Sequence, residues 1–437
     1  MTVDPPPTAS VAAEPRLLSL EEARSLMLAG VLPLPAEEVD LASAAGRVCA
    51  EPVASRVTLP PFDNSAMDGF AVRAADVADA SGAAPRALHV VGEVAAGHPP
   101  PDRVVPGTAL RVLTGGMIPD GADGVVPVED TDAPAGLSDL PDLVHVSRPA
   151  AGGAHIRRRG SDLQAGDPVV AAGTVIRPAT VALLAATGHA EVRVHRRPRV
   201  AILGTGDELV APGQPLAPGR IHDSNSIALG AQAGAAGAAV RLLGIAPDDL
   251  EAVQDRVHTG VGWADVLIVS GGVSVGAHDV VKAAFETVGR IELWRVAIQP
   301  GKPLAFGRAQ RPDGSGVALL FGLPGNPVSS FVTFELFVRP VLRRLGGHDD
   351  AVGRRVERAT LTGRATTSAG RRAFLRVRLR PDPQRAGAWL ADLAGGQGSH
   401  VLSALAQSDA LAVVPEEIVV VEPGTELDVW RLDEGPC

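Results

Sequence analysis

The sequence predicts an α/β plus β fold class: a multidomain chain with a central three-layer α/β/α domain, an inserted β-module and a small C-terminal β-barrel. Three observations point there. RVAILGTGDEL, DVLIVSGGVSVG and ALLFGLPGNP are unbroken apolar runs that each end in a glycine-rich loop, the pattern of buried parallel strands, and helical spacing separates them. On either side, short Val/Leu runs alternate with Gly/Pro/Asp turns, as in β-modules. The length, 437 residues, exceeds what a single hydrophobic core sustains.

Residues 1–15, with Pro5, Pro6 and Pro7 in a row, lack the pattern of a targeting signal and read as a flexible leader. Ser19 followed three residues later by Glu22 is a reciprocal capping pattern and predicts a short helix. Residues 16–51 and 150–196 are read as one discontinuous unit. Its second half, with Gly-Asp turns and a helix over Ala179–Ala186, is expected to pack back against the first helix, which makes 52–149 an insertion. In that insertion Leu88–Val91, Ala109–Leu113, Gly124–Val128 and Leu143–Val146 read as strands. Over 197–347, helices are expected at Ile227–Ala239 (cap candidates Ser224, Asn225 and Ser226), Pro247–Val257, Val280–Val288 and Val328–Leu345. From 348 to 437, Val356–Leu361, Phe374–Leu379, Ala410–Val414 and Ile418–Val421 suggest a separate small β-domain or barrel.

A formal charge of −10 repels nucleic acid and anionic membranes at long range, so an anionic ligand must be held locally. Aromatics at 3% and the absence of tyrosine disfavour stacking on exposed bases as a mode of action. Cys49 and Cys437 are too few for a disulfide framework or a cysteine-ligated zinc, which fits a reducing, cytoplasmic compartment. The most apolar long window, Ile227–Ile245, carries Gln232, Arg241 and four glycines and reads as soluble helix, not a bilayer span. No HExxH spacing occurs and no Ser-His-Asp arrangement can be inferred from the sequence, so zinc hydrolysis and acyl transfer are unsupported.

Ligands of open α/β sheets bind outside the carboxyl ends of the strands, where all three glycine-rich loops fall. In Gly204-Thr205-Gly206-Asp207-Glu208, glycines aim N–H groups at an anion and two carboxylates can hold a divalent cation; the alternative is a plain turn. Ser270-Gly271-Gly272-Val273-Ser274-Val275-Gly276 is a phosphate cradle without the lysine of a Walker loop, and Asp279 after it serves equally well as helix cap or ligand. Lys302 between Pro300 and Pro303 suits a fixed anion clamp. Asn326 and Pro327 open a helix, with Ser329 just inside it. In the β-module, the loop around Asp63 and Asp68 and the turn at Thr114-Gly115-Gly116 are shaped enough to meet a ligand, yet adequate as Asx-turns. Arg157-Arg158-Arg159 beside Asp162 would alone be a solvated face.

PPFDNSAMDGFAVR, TGGMIPDGADGVV, GTGDEL, IHDSN, SGGVSVGAHD, QPGKP and GLPGNPVS, in that order, closely resemble the molybdopterin molybdenumtransferase family, which includes the E domain of gephyrin; the resemblance runs from about Ser19 to the C-terminus. It implies a Mg²⁺-dependent transferase that takes adenylylated molybdopterin and molybdate, releases AMP and leaves molybdenum on the dithiolene. It also implies an elongated homodimer joined through the discontinuous N-terminal unit, an α/β layer that binds molybdopterin, and molybdopterin adenylyltransferase and molybdoenzymes as possible partners. On the matching positions, the resemblance assigns catalytic roles to Asp63, Glu208, Asp248, Asp279 and Lys302, with Glu208 and Asp279 on the metal. Thr114, Asp162, Thr205, Gly206, Ser270, Gly271, Gly272, Ser274, Pro303, Ser329, Arg371 and Ser399 fall at its substrate-binding positions. Gln299 stands where many relatives carry a lysine, and Phe70 where a tyrosine is common. The rival readings are a non-enzymatic scaffold on the same fold and an α/β nucleotide amidase; the retained acids and Lys302 weigh against the first and the PPFDNSAMDGF module against the second.

Overall fold

The computed structural model describes residues 17–134, 139–272, 280–349 and 354–432. Its centre is a six-stranded sheet in the order 239–246, 199–205, 266–270, 317–323, 303–310, 289–295. The first four strands are parallel and the last two antiparallel. Alternation along Arg199–Thr205 shows why the sheet is covered on both faces. Val200 and Ile202 enter one core with Leu229, Ala233, Val328 and Val332, whereas Ala201 and Leu203 enter the other with Val253, Val257, Val281 and Phe285. Helices Ser224–Ala235 and Pro327–Thr333 therefore lie on one side and Leu250–Trp263 and Val280–Val288 on the other, which is the expected three-layer arrangement.

Several elements differ from the sequence expectation for physical reasons. The helix after IHDSN is capped by Asp223, whose carboxylate accepts the Ser226 N–H at 3.0 Å, and it ends at Ala235. Gly237, at φ 91°, turns the chain into the edge strand Ala239–Ala246, whose mostly exposed side chains hid it as a strand. The next helix begins at Leu250 under an Asp249 cap and runs to Trp263. The long closing helix is one column with a π-turn at Phe334–Val338 between Pro327–Thr333 and Arg339–Leu345. The two antiparallel strands, Gly289–Arg295 and Pro303–Gln310, carry no glycine-loop signature and were not anticipated.

The first helix, Leu20–Leu28, has its reciprocal Ser19/Glu22 cap, but it does not pack on the 156–194 segment. Leu20, Ala23 and Met27 are buried in the central core alongside Leu336 and Leu342. What joins the two halves of the N-terminal region is instead the antiparallel pairing of Ala36–Asp40 with Glu191–His195 and of Val53–Ala54 with Pro168–Val170, around Ala44, Cys49, Ile176, Leu184 and Val194. The chain between them folds as a five-stranded sheet in which Phe70 and Ala71 point to opposite cores. At the C-terminus, 372–381, 389–393, 356–361, 426–431 and 410–414 pair in that order, and 410–414 pairs again with 372–381, closing a five-stranded barrel.

Candidate active site

Three strand ends meet at the carboxyl edge of the parallel sheet. Thr205, the last residue of its strand, is buried. Gly271 sits against it at φ 98°, where a Cβ would come within 2.4 Å of the Thr205 carbonyl oxygen. Gly272 follows at φ 66°, where a Cβ would meet Val281 at 2.6 Å. Both positions therefore demand glycine for closeness and for backbone conformation. A Cβ on Gly325, from the third loop, would lie 3.8 Å from the Gly271 Cα. One side chain ties the second and third loops: Asn225 donates from Nδ2 to the Ser270 hydroxyl at 2.9 Å and to the Gly325 carbonyl at 2.8 Å. IHDSN thus supplies a site-building residue that sequence reasoning treated as a candidate cap. Its place in a motif, one residue past the true first helical residue, was the available signal.

The acidic corner lies beside this cluster. Gly206, at φ 148°, lets the chain turn so that Glu208 folds back over it; a Cβ there would meet Glu208 Oε2 at 2.4 Å. Glu208 is exposed and binds no cationic side chain among the described residues. Asp207 accepts the Asp248 N–H at 3.3 Å, bringing the exposed Asp248 to the same corner. Among the described residues no three His, Cys, Asp or Glu side chains gather as a ready metal cage. The donors are nonetheless all carboxylate oxygen, and a hard ion such as Mg²⁺ is commonly held by one or two carboxylates together with substrate phosphate oxygens. Ser274 and Asp279 lie outside the described residues.

The basic corner is built by the barrel. Ile298 and Gln299 pair in parallel with Arg372 and Ala373, and Gln299 Oε1 accepts the Ser368 N–H at 2.8 Å. This pairing brings Arg371 beside the loop that carries Lys302. The neighbouring Arg372 is neutralised by Glu21 and Glu416. Lys302 and Arg371 are half-buried and bind no carboxylate among the described residues, so their charge is available to an anion. Gly301, at φ 109°, rests against Thr333 and the Ser329 carbonyl, which seats this loop on the Pro327–Thr333 helix. Pro303 opens the strand that leaves the loop, and Ser329 is buried in the helix. Ser399 reaches the start of that helix, its carbonyl accepting the Val328 N–H at 3.1 Å.

Asp63, Thr114 and Asp162 form a separate group. The Asp63 carboxylate accepts the Arg159 backbone N–H at 2.7 Å and Arg158 Nη1 at 2.6 Å; these two bonds, the backbone one first, hold its carboxyl below the usual carboxylate range. The Thr114 hydroxyl and N–H both donate to Asp68 Oδ1, at 2.7 and 2.6 Å, and depress the Asp68 carboxyl in the same way. Asp68 and Thr114 share the lining of a cavity of about 340 Å³ with Phe70 and Arg111. Asp162 is exposed on the turn whose N–H groups bond the Leu59 carbonyl. The hydrogen bonds of Asp63 and Thr114 thus stay within the β-module and the 157–159 segment and do not reach the glycine-loop corner of the same chain.

Residues 18–188 match the MoeA N-terminal region (domains I and II), 201–344 a probable molybdopterin binding domain and 358–432 the MoeA C-terminal region (domain IV). Molybdopterin molybdenumtransferase 2 of Mycobacterium tuberculosis is 41% identical over 403 residues, spanning 90% of this chain and 94% of its own. The chain belongs to the molybdopterin molybdenumtransferase family. A molybdopterin molybdenumtransferase of Haemophilus influenzae is 36% identical over 418 residues, 94% of this chain and 98% of the relative. The crystal structure of a molybdopterin biosynthesis MoeA protein from Pyrococcus horikoshii superposes with a TM-score of 0.77 at 32% identity, covering 96% of this chain and all of that one. As a molybdenumtransferase family member, the chain carries its strand-end corners within the matched molybdopterin-binding domain, while Arg371 and Ser399 come from the matched C-terminal region.

Proposed function

We propose that this chain is a molybdopterin molybdenumtransferase that takes adenylylated molybdopterin and molybdate, releases AMP and yields the molybdenum-loaded dithiolene. The observation that supports it most is the joint placement of two corners of opposite character. The first is an acidic turn beside packed glycine loops; the second is a pair of cations, Lys302 on the adjoining loop and Arg371 just before the barrel strand, that bind no carboxylate among the described residues. Molybdate is a tetrahedral dianion, so it seeks the second corner, whereas a pyrophosphate-linked pterin seeks backbone N–H groups at the first.

In this reading Thr205, Gly206, Ser270, Gly271, Gly272 and Ser274 receive the pterin and its phosphates. Lys302, Arg371, Ser329 and Ser399 receive the oxyanion, with Pro303 fixing the loop's exit. Glu208 and Asp279 would hold Mg²⁺, which supplies charge neutralisation at the phosphate when bound; Asp248 stands behind them. Lys302 stabilises negative charge as the phosphate bond to the nucleotide breaks. The family resemblance implies a homodimer whose active cleft lies between the α/β domain of one subunit and parts of the other, and in this reading Asp63, Asp162 and Thr114 act on the substrate from the second copy.

Purified protein supplied with adenylylated molybdopterin, Mg²⁺ and molybdate is expected to release AMP in a molybdate-dependent manner. No AMP release above that of boiled protein would reject the reading and favour the scaffold alternative.

A further inference from the structure

Arg376 is the largest fully buried side chain of the barrel, 1% exposed, and no carboxylate among the described residues faces it. Its Nη2 donates to the carbonyls of Gly396 and Gly398, at 3.0 and 3.1 Å, while its Nε has no partner among the described residues. Gln397, between those two glycines, clasps the same residue from the other side. Gln397 Oε1 accepts the Arg376 N–H at 2.9 Å, and Nε2 donates to the Arg376 carbonyl at 3.1 Å and the Gly395 carbonyl at 3.0 Å. The Ala394 N–H also bonds the Arg376 carbonyl, at 3.0 Å. The segment Gly395–Gly398 is thus clipped to the strand that begins at Arg372, and the clip ends one peptide bond before Ser399, whose carbonyl takes the Val328 N–H.

Burying a guanidinium without a counter-charge is costly, and its pKa is pushed down to about 10 by burial alone. A methionine or leucine would fill the same space at lower cost. The arrangement is accounted for if the loop must be held in one place and a positive charge left standing beside it. We propose that Arg376, with Gln397, is a positioning residue for oxyanion recognition: it fixes the Gly396–Ser399 loop against the Val328 turn and keeps a buried cation on the barrel strand that starts one residue after Arg371. The inference rests on the function proposed above and deepens it, since it assigns molybdate recognition partly to the interior of the barrel.

The test compares R376M, which keeps volume without charge, R376K, which keeps charge without the fork, and Q397A. AMP release is read against molybdate and, separately, against adenylylated molybdopterin, and tungstate binding is measured by calorimetry without pterin. R376M is expected to need about tenfold more molybdate for half-maximal release and to weaken tungstate by about the same factor, with its pterin dependence shifted less than about twofold. R376K is expected to recover part of this loss, and Q397A to show a smaller shift in the same direction. A folded R376M with unchanged molybdate dependence, or one whose molybdate and pterin requirements move together, overturns the proposal. If R376M does not fold, R376K and Q397A decide: unchanged molybdate dependence in both overturns it. Wild-type protein that takes up no tungstate and releases no AMP overturns the parent reading and this inference with it, whereas wild-type binding matched by R376M overturns the inference alone.

Discussion

Lys302 and Arg371 bind no carboxylate among the described residues, although the residue next to Arg371 is neutralised. Arg372, one residue on, is held by Glu21 and Glu416, and Arg308 by Glu292. A cation held half-buried on a proline-flanked loop costs little further ordering when an anion arrives. Lys302→Ala is therefore expected to raise the molybdate concentration for half-maximal AMP release by about tenfold, roughly the loss of one charge-assisted hydrogen bond, with pterin affinity little changed. A molybdate titration of AMP release checks it. Glu208 lies over Gly206 with no cation bound to it among the described residues, and Glu208→Ala is expected to slow release by about a hundredfold at saturating substrates and to weaken the response to added Mg²⁺. Normal release and an unaltered Mg²⁺ titration would remove it from the cation site. Gly271→Ala would place a Cβ 2.4 Å from the Thr205 carbonyl at φ 98°, and is expected to lower stability by about 2 kcal/mol and to depress activity further by spreading the two loops. Denaturant titration beside the activity assay separates the two effects.

At the scale of elements, the central-sheet strands that carry motifs were readable and those that carry none were not. RVAILGT and DVLIVS announce themselves because both faces of a central parallel strand are apolar. The edge strand Ala239–Ala246 has only one covered face and an Arg241 stacked on Trp263, so it reads as the tail of the preceding helix. The two antiparallel strands lack the glycine loop that punctuates their neighbours. The site follows the same division: the glycine corners are local and legible, whereas the bonds of Asn225 and the clip of Arg376 join residues whose distance in sequence hides them. One ion cluster fastens the other end of the sheet. Burial alone would push the Asp265 carboxyl up, but the Arg196 fork, the Arg199 N–H and the charge of Arg311 outweigh it and hold the carboxyl below the usual range. Because the folded state lowers this pKa, its stabilisation is present above the unfolded value near about pH 4 and is lost as pH falls through the lower, folded value. Asp265→Asn is expected to cost about 3 kcal/mol at pH 7, since it leaves two arginines unpaired, and the gap from wild type to narrow in strong acid. Urea unfolding at several pH values measures both.

For the whole molecule, the fold class and domain types were legible because seven motifs recur in family order along the chain. The packing of Leu20–Leu28 onto the central core was not, because an amphipathic helix does not state which apolar surface will cover it. Asp63 and Thr114 keep their bonds within the β-module and the 157–159 segment, and the proposed function has them act from a second copy. Mixing Asp63→Ala protein with Glu208→Ala protein under subunit exchange is expected to restore about a quarter of wild-type activity, since half the dimers then carry one intact site of two. No recovery, with exchange demonstrated, would place each site within one chain. The central claim is that the loop and barrel cations form one oxyanion pocket beside the glycine corners. It is tested most directly by locating tungsten in crystals soaked with tungstate, through its anomalous scattering. The account predicts a peak bounded by Lys302, Arg371 and Ser399; a fully occupied peak elsewhere, with that pocket empty, would contradict it.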